Sequence, residues 1–161
     1  MPHAVSAVFV DASAWIASVE SRQAHHDATL EVRTGLVEAG VEFLTTNLVL
    51  AETHAMLTRH RGPLAGLQLL DGVEADPQYT VLDVNLELQD AAVDHWLRVF
   101  RDQAFSLCDA VSFEVMRREG ITRAFTLDHH FAVAGFAMLP APRHRPHRRP
   151  PPPPPPPKRT P

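Results

Sequence analysis

The segment SLCDAVSFEVMRREGITRAFTLDHHF, residues 106–131, sets Asp109 at the start of a helical pattern and Asp128 at the end of a short apolar run. Two further acids hold comparable positions. Asp11 directly follows the apolar run AVFV, and Glu52 lies in the helical pattern LVLAETHAMLTRH on a stripe with Val49 and Met56. Each has a purely structural alternative. Asp11 and Asp128 make good helix caps, Ser106 with Asp109 has the spacing of a capping box, and a slightly rotated helix would leave Glu52 at the surface. Taken together, three acids at junctions leading into helices and a fourth turned inward from a helix describe converging carboxylates. Such a cluster repels itself strongly at protein-interior dielectric and requires divalent cations. Hard ions that prefer oxygen ligands and retain waters suit it, which selects Mg2+ or Mn2+.

Strands and helices alternate around these residues. The run 7–10 reads as a strand leading into the helical pattern ASAWIASV, with Ser13 near its start. Residues 24–39 read as a helix stopped by Gly40, and VEFLTT (41–46) as a strand. Asn47 is expected to cap the next helix, Gly62-Pro63 to break it, and a short helix to end near Asp71-Gly72. YTVLDV (79–84) alternates as a strand, and 86–102 has helical spacing in Leu86, Val93, Trp96, Leu97 and Phe100. A helix over 107–119 with a Gly120 stop, a strand at 123–127, one helical turn and a strand FAML (136–139) follow. This order predicts an α/β fold, a doubly wound and mainly parallel sheet with helices on both faces. In such sheets ligands gather outside the carboxyl ends of the strands.

Composition bounds the rest. A chain of 161 residues with 45% hydrophobic content supports one domain with a genuine core. The single cysteine, Cys108, excludes an internal disulfide framework and a cysteine-based zinc site, and it reads as a buried, inert thiol in a cytoplasmic protein. No apolar run reaches membrane-spanning length and the N-terminus lacks the pattern of a secretory signal, so a soluble protein with no membrane association is expected. The net charge of −4 hides an asymmetry: residues 143–161 hold six of the fifteen Lys+Arg and none of the nineteen acids. Residues 1–142 keep nine bases against nineteen acids, a charge of −10, which opposes binding of a polyanion unless cations intervene. Eight consecutive prolines at 150–157 cannot enter helix or sheet. The chain therefore divides into a folded domain, 1–142, and a disordered, basic, proline-rich tail, 143–161, read as an unselected extension or as an arm for RNA or a partner domain.

The blocks FVDASAWIAS, TTNLVLAET, SLCDAVSFEVMRREGI and FTLDHHFAVAGF, in that order between about Val8 and Leu139, resemble those of the PIN-domain family, in particular VapC toxins of bacterial toxin–antitoxin pairs. The resemblance implies a Mg2+- or Mn2+-dependent endoribonuclease that hydrolyses RNA phosphodiester bonds, held inactive by a small cognate antitoxin and homodimeric. It implies Asp11, Glu52, Asp109 and Asp128 as the catalytic, metal-binding quartet, with Ser13 and Thr126 as supporting hydroxyls. Metal held chiefly by Asp11 and Asp109 would polarise a phosphate oxygen and acidify the attacking water, while Glu52 and Asp128 hold a second metal or orient that water.

Other readings fare less well. A phosphatase forming an aspartyl phosphate on Asp11 needs a second Asp at position 13, which is Ser, and a receiver domain needs a late lysine, whereas the only lysine is Lys158 in the tail. A noncatalytic PIN-like module binding RNA or protein is the alternative, and the presence of all four acids weighs against it. His25-His26 and His129-His130 are adjacent pairs without the spacing of a helical metal pair. Trp15, Trp96, Phe100, Phe105 and Phe113 read as core or dimer-interface residues, and the arginines at 98, 101, 117, 118 and 123 as phosphate binders or, more plainly, as solvated helix faces pairing with nearby acids.

Overall fold

The computed structural model describes residues 6–142. Its sheet has five parallel strands, β1 (Ala7–Val10), β2 (Glu42–Thr46), β3 (Tyr79–Leu82), β4 (Arg123–Phe125) and β5 (Ala137–Leu139), in the order β3-β2-β1-β4-β5. Parallel neighbours need crossovers, and these are α1 (Ala12–Val19), α2 (His26–Glu38), α3 (Asn47–Arg61), α4 (Pro63–Ala75), α5 (Leu86–Ala92), α6 (Leu107–Glu119) and α7 (His129–Val133). The chain winds outward from β1 to β3, then returns to lay β4 on the other side of β1. The order therefore reverses between β1 and β4, where connections leaving the two carboxyl ends diverge and open a crevice. The expected doubly wound α/β architecture is the one observed. The expected tail at 143–161 lies outside the described residues.

Val8, Phe9 and Val10 are fully buried, as an unbroken apolar strand must be when both faces of its sheet are covered. Helix α6 is buried continuously from Ala110 to Met116, so it forms the second spine of the domain. Its Phe113 meets Trp96, Phe105 and Phe131 edge-on at centroid distances of 5.2, 5.1 and 5.0 Å, a favourable geometry for aromatic quadrupoles. The same helix carries Glu114 with no exposure at all. That carboxylate accepts hydrogen bonds from His95 Nδ1 (3.1 Å), Trp96 Nε1 (3.2 Å), Arg117 (2.7 and 3.1 Å) and Arg118 Nε (2.9 Å). His95 and Trp96 reach it from a π-helical turn, Val93–Leu97, that continues α5.

Several boundaries differ from expectation for identifiable reasons. Thr46, not Asn47, caps α3, its hydroxyl accepting from Val49 N at 3.2 Å. Asn47 instead donates to Asp83 Oδ1 at 3.0 Å and accepts from Val84 N at 3.1 Å. Capture of that amide by a side chain ends β3 at Leu82, short of the expected 84. The strand expected over 123–127 stops at Phe125, because Leu127 N and Asp128 N bond to the hydroxyls of Ser13 and Thr126 at 2.9 Å each. The helix expected over 86–102 gives way to the π-helical turn ending at Leu97. Helix α4 runs through Gly72 to Ala75. Gly120 does stop α6, in the left-handed conformation at φ 66°.

Close packing of α3 on α4 rests on Gly66. A Cβ there would lie 2.8 Å from a ring carbon of His54 and closer still to the Thr58 hydroxyl. Gly66→Ala is expected to lower the unfolding free energy by about 1–3 kcal/mol, the usual cost of overpacking, despite alanine's better helix propensity. A urea melt checks this: an unchanged or higher midpoint would show that the two side chains can move aside.

Candidate active site

Asp11 stands one residue beyond β1, where its amide donates to Phe125 O at 3.1 Å and ties it to β4. Its side chain caps α1, accepting at Oδ2 from Ser13 N (3.3 Å), Ser13 Oγ (2.6 Å) and Thr126 Oγ1 (3.0 Å). The two hydroxyls also touch each other at 3.1 Å. Ser13 and Thr126 thus do two things at once: they donate to Asp11, and they accept the amides of Leu127 and Asp128. The β4–α7 turn is thereby fastened to the β1–α1 turn. Burial pushes the Asp11 carboxyl above its ordinary value, against the lowering effect of these hydrogen bonds.

Asp128 caps α7, its Oδ1 accepting from His130 N at 2.9 Å. Asp109 completes a capping box with Ser106 at the start of α6: Ser106 N donates to Asp109 Oδ2 at 2.8 Å, and Asp109 N donates to Ser106 Oγ at 3.0 Å. The structural role of each aspartate is therefore real, and all three caps open onto the same crevice. Glu52, from the second turn of α3, is exposed at this crevice and does not face the core, while Val49 on the same stripe is buried. Partial burial first, and then the negative fields of Asp11, Asp109 and Asp128, raise the Glu52 carboxyl above its ordinary value, opposed by a hydrogen bond from the Cys108 thiol. The four carboxylates converge on this crevice. Together with Ala12, Ser13, Met56, Ala104, Ser106 and His130 they line a cleft of about 310 Å³.

Two neighbours of the cleft carry more than composition suggested. Cys108 is half-buried, not sealed in the core, and burial together with the charges of Glu52, Asp11 and Asp109 pushes its thiol far above the ordinary range. It stays protonated and is no nucleophile. His130 places Nδ1 3.2 Å from Asp109 Oδ2 and 3.6 Å from Asp128 Oδ1. Reading His129-His130 as a pair hid this contact. The usable signal was that one turn beginning at Asp128 brings the residue two positions on back toward its cap. His129 is exposed.

The hydroxyl of Thr126 is the most economical test of how the turns are joined. Thr126→Val keeps the shape, but removes a donor from the buried Asp11 and an acceptor from Asp128 N. Unfolding free energy should fall by about 1–3 kcal/mol, the cost of leaving buried polar groups short of a partner. Chemical denaturation of the variant would refute this if the curve overlaid that of the parent protein.

Known proteins resemble this chain in sequence and in fold. The 23S rRNA-specific endonuclease VapC20 of Mycobacterium tuberculosis, from strains CDC 1551 / Oshkosh and H37Rv, is 31% identical over 129 residues, spanning 80% of this chain and 95% of the relative. The crystal structure of M. tuberculosis VapC20, described as a sarcin-ricin loop cleaving toxin, superposes with a TM-score of 0.72 at 30% identity, covering 80% of this chain and 95% of that one. The family model for the PIN domain matches residues 8–137, from the middle of β1 to the start of β5 and across all four acids. The chain belongs to the PIN-domain family.

Proposed function

We propose that this PIN domain is an endoribonuclease toxin of the VapC type, which hydrolyses RNA phosphodiester bonds in the cleft between β1 and β4 with Mg2+ or Mn2+ as cofactor. The observation that carries the reading is the convergence of Asp11, Glu52, Asp109 and Asp128 on one cleft at the switch point of the sheet. The donor set fits a divalent ion. Asp109, Asp128 and His130 offer ligand atoms within 4.8 Å of one another, and the negative fields of the other three acids on Glu52 mark charge that a cation would relieve.

Asp11 and Asp109 would chiefly hold the ion, with Asp128 supporting it. When bound, the ion offsets charge on the phosphate and acidifies water at neutral pH. Ser13 and Thr126 fix Asp11 Oδ2, so the buried carboxylate meets the ion in one orientation. Glu52, on the solvent side of the cleft, would orient the attacking water and accept its proton. The cation also offsets part of the acidic charge that would otherwise repel RNA.

The reading extends to partners. A small cognate antitoxin would hold the nuclease inactive, the working unit would be a homodimer, and the site of action would be the cytoplasm. Residues 1–142 form the nuclease unit in this reading, with 143–161 appended to it. Among the described residues no helix is long and apolar enough to cross a membrane. A structured loop of large-subunit ribosomal RNA, the kind of target named for the relative, is the first substrate to try. The experiment incubates purified protein with ribosomal RNA and an unrelated structured RNA pool, in Mg2+, Mn2+ or EDTA. Cutting in either ion and none in EDTA is the expected result. Failure to cut any RNA, with no heat of ion binding in calorimetry, would overturn the proposal.

A further inference from the structure

The geometry points to His130 as a nitrogen ligand of the ion at this centre, through Nδ1, and hence to a site biased toward Mn2+ over Mg2+. The inference rests on the reading of Asp109 and Asp128 as metal ligands and adds to it a donor of a different element. Three observations carry it. Nδ1 lies 3.2 Å from Asp109 Oδ2 and 3.6 Å from Asp128 Oδ1. Neighbouring ligands of an octahedral ion with bonds of about 2.1 Å sit about 3 Å apart, so the two edges that meet at Nδ1 are already close to that spacing, and the three groups offer ligand atoms within 4.8 Å of one another.

Neither acid depends on the imidazole for its orientation, because Asp109 Oδ2 is held by Ser106 N at 2.8 Å and Asp128 Oδ1 by His130 N at 2.9 Å. The ring itself is fixed from outside the cluster. Phe105, buried in the core, meets it edge to face with centroids 5.3 Å apart and an interplanar angle of 78°. A preset imidazole between two preset carboxylates is a ligand arrangement.

Donor chemistry then sets the preference. Mg2+ takes oxygen donors and keeps its waters, whereas affinity for imidazole rises along the first-row transition metals. A mixed nitrogen and oxygen face therefore favours Mn2+ relative to a site of carboxylates alone.

The test reads ligation directly and needs no substrate. Pulsed electron paramagnetic resonance of the full chain loaded with Mn2+ is expected to show nitrogen modulation that changes when histidine is labelled with 15N. The modulation should disappear in His130→Ala and persist in His129→Ala. By calorimetry, His130→Ala should weaken Mn2+ binding by about tenfold or more, a loss of the size known for disrupted ligand shells, while Mg2+ binding changes much less. Mn2+ bound without nitrogen modulation would overturn the inference and leave the carboxylate site standing. No Mn2+ bound at all would overturn both, and equal weakening of the two ions would overturn the selectivity.

Discussion

Asp11→Asn protein is expected to cut RNA about a thousandfold more slowly than the parent, or worse, while unfolding at the same or a higher denaturant concentration. The rate loss follows from the ion: withdrawing a ligand that supports about 4 kcal/mol of charge stabilisation in the transition state costs a factor of that size. The preserved fold follows from the cap. Asparagine caps helices as well as aspartate, and its carbonyl oxygen can accept from Ser13 and Thr126 where Asp11 Oδ2 does now. Because Asp11 is a buried carboxylate raised by desolvation, the neutral amide removes an electrostatic cost as well. Single-turnover cleavage and a urea melt on the same preparation check the two halves. Retained activity would remove Asp11 from the site, and collapse of the fold would show that its charge is needed for structure.

The second large effect concerns stability. Glu114→Ala is expected to lower the unfolding free energy by about 1.5–3 kcal/mol, the range for losing hydrogen bonds to a charged group, since the buried Trp96 Nε1 loses its acceptor while the arginines regain water. Burial alone would raise this carboxyl, but the hydrogen bonds from Arg117, Arg118, His95 and Trp96 prevail and pull it from 4.5 down to about 2. A carboxyl depressed by folding stabilises the native state fully above its unfolded value and loses that contribution as pH falls toward its folded one. The parent protein should therefore lose stability between about pH 4.5 and pH 2 more steeply than Glu114→Ala does, so the two denaturation curves approach each other in acid. A gap that stays constant over that window would mean the charge contributes nothing.

Much of this was legible in the sequence because the same residues serve two levels of structure. Asp11, Asp128 and the Ser106-Asp109 box are helix caps, so local rules marked the strand-to-helix junctions where a parallel sheet gathers its ligands. Glu52 was harder to place, since helical periodicity fixes which stripe a residue shares but not what that stripe faces. What escaped were contacts made by single polar atoms across long stretches of chain. Asn47 reaching Asp83 and Val84 truncates a strand, Ser13 and Thr126 seizing amides truncates another, and His130 turning to Asp109 alters the donor set. No periodicity encodes such contacts. Glu114 belongs with them: a lone acid in an apolar helix gave no sign that a π-helical turn would bring two donors to it.

The strand order also has a consequence for synthesis. Asp11 leaves the ribosome early, yet the turn that fastens it belongs to β4 and α7, which are translated after α6. A nascent chain halted before Arg123 carries three of the four acids and lacks the partner strand on one side of β1. In the proposed reading the polypeptide is therefore harmless to the translating machinery for most of its own elongation. Its chemistry is acquired late and all at once, when the last crossover docks.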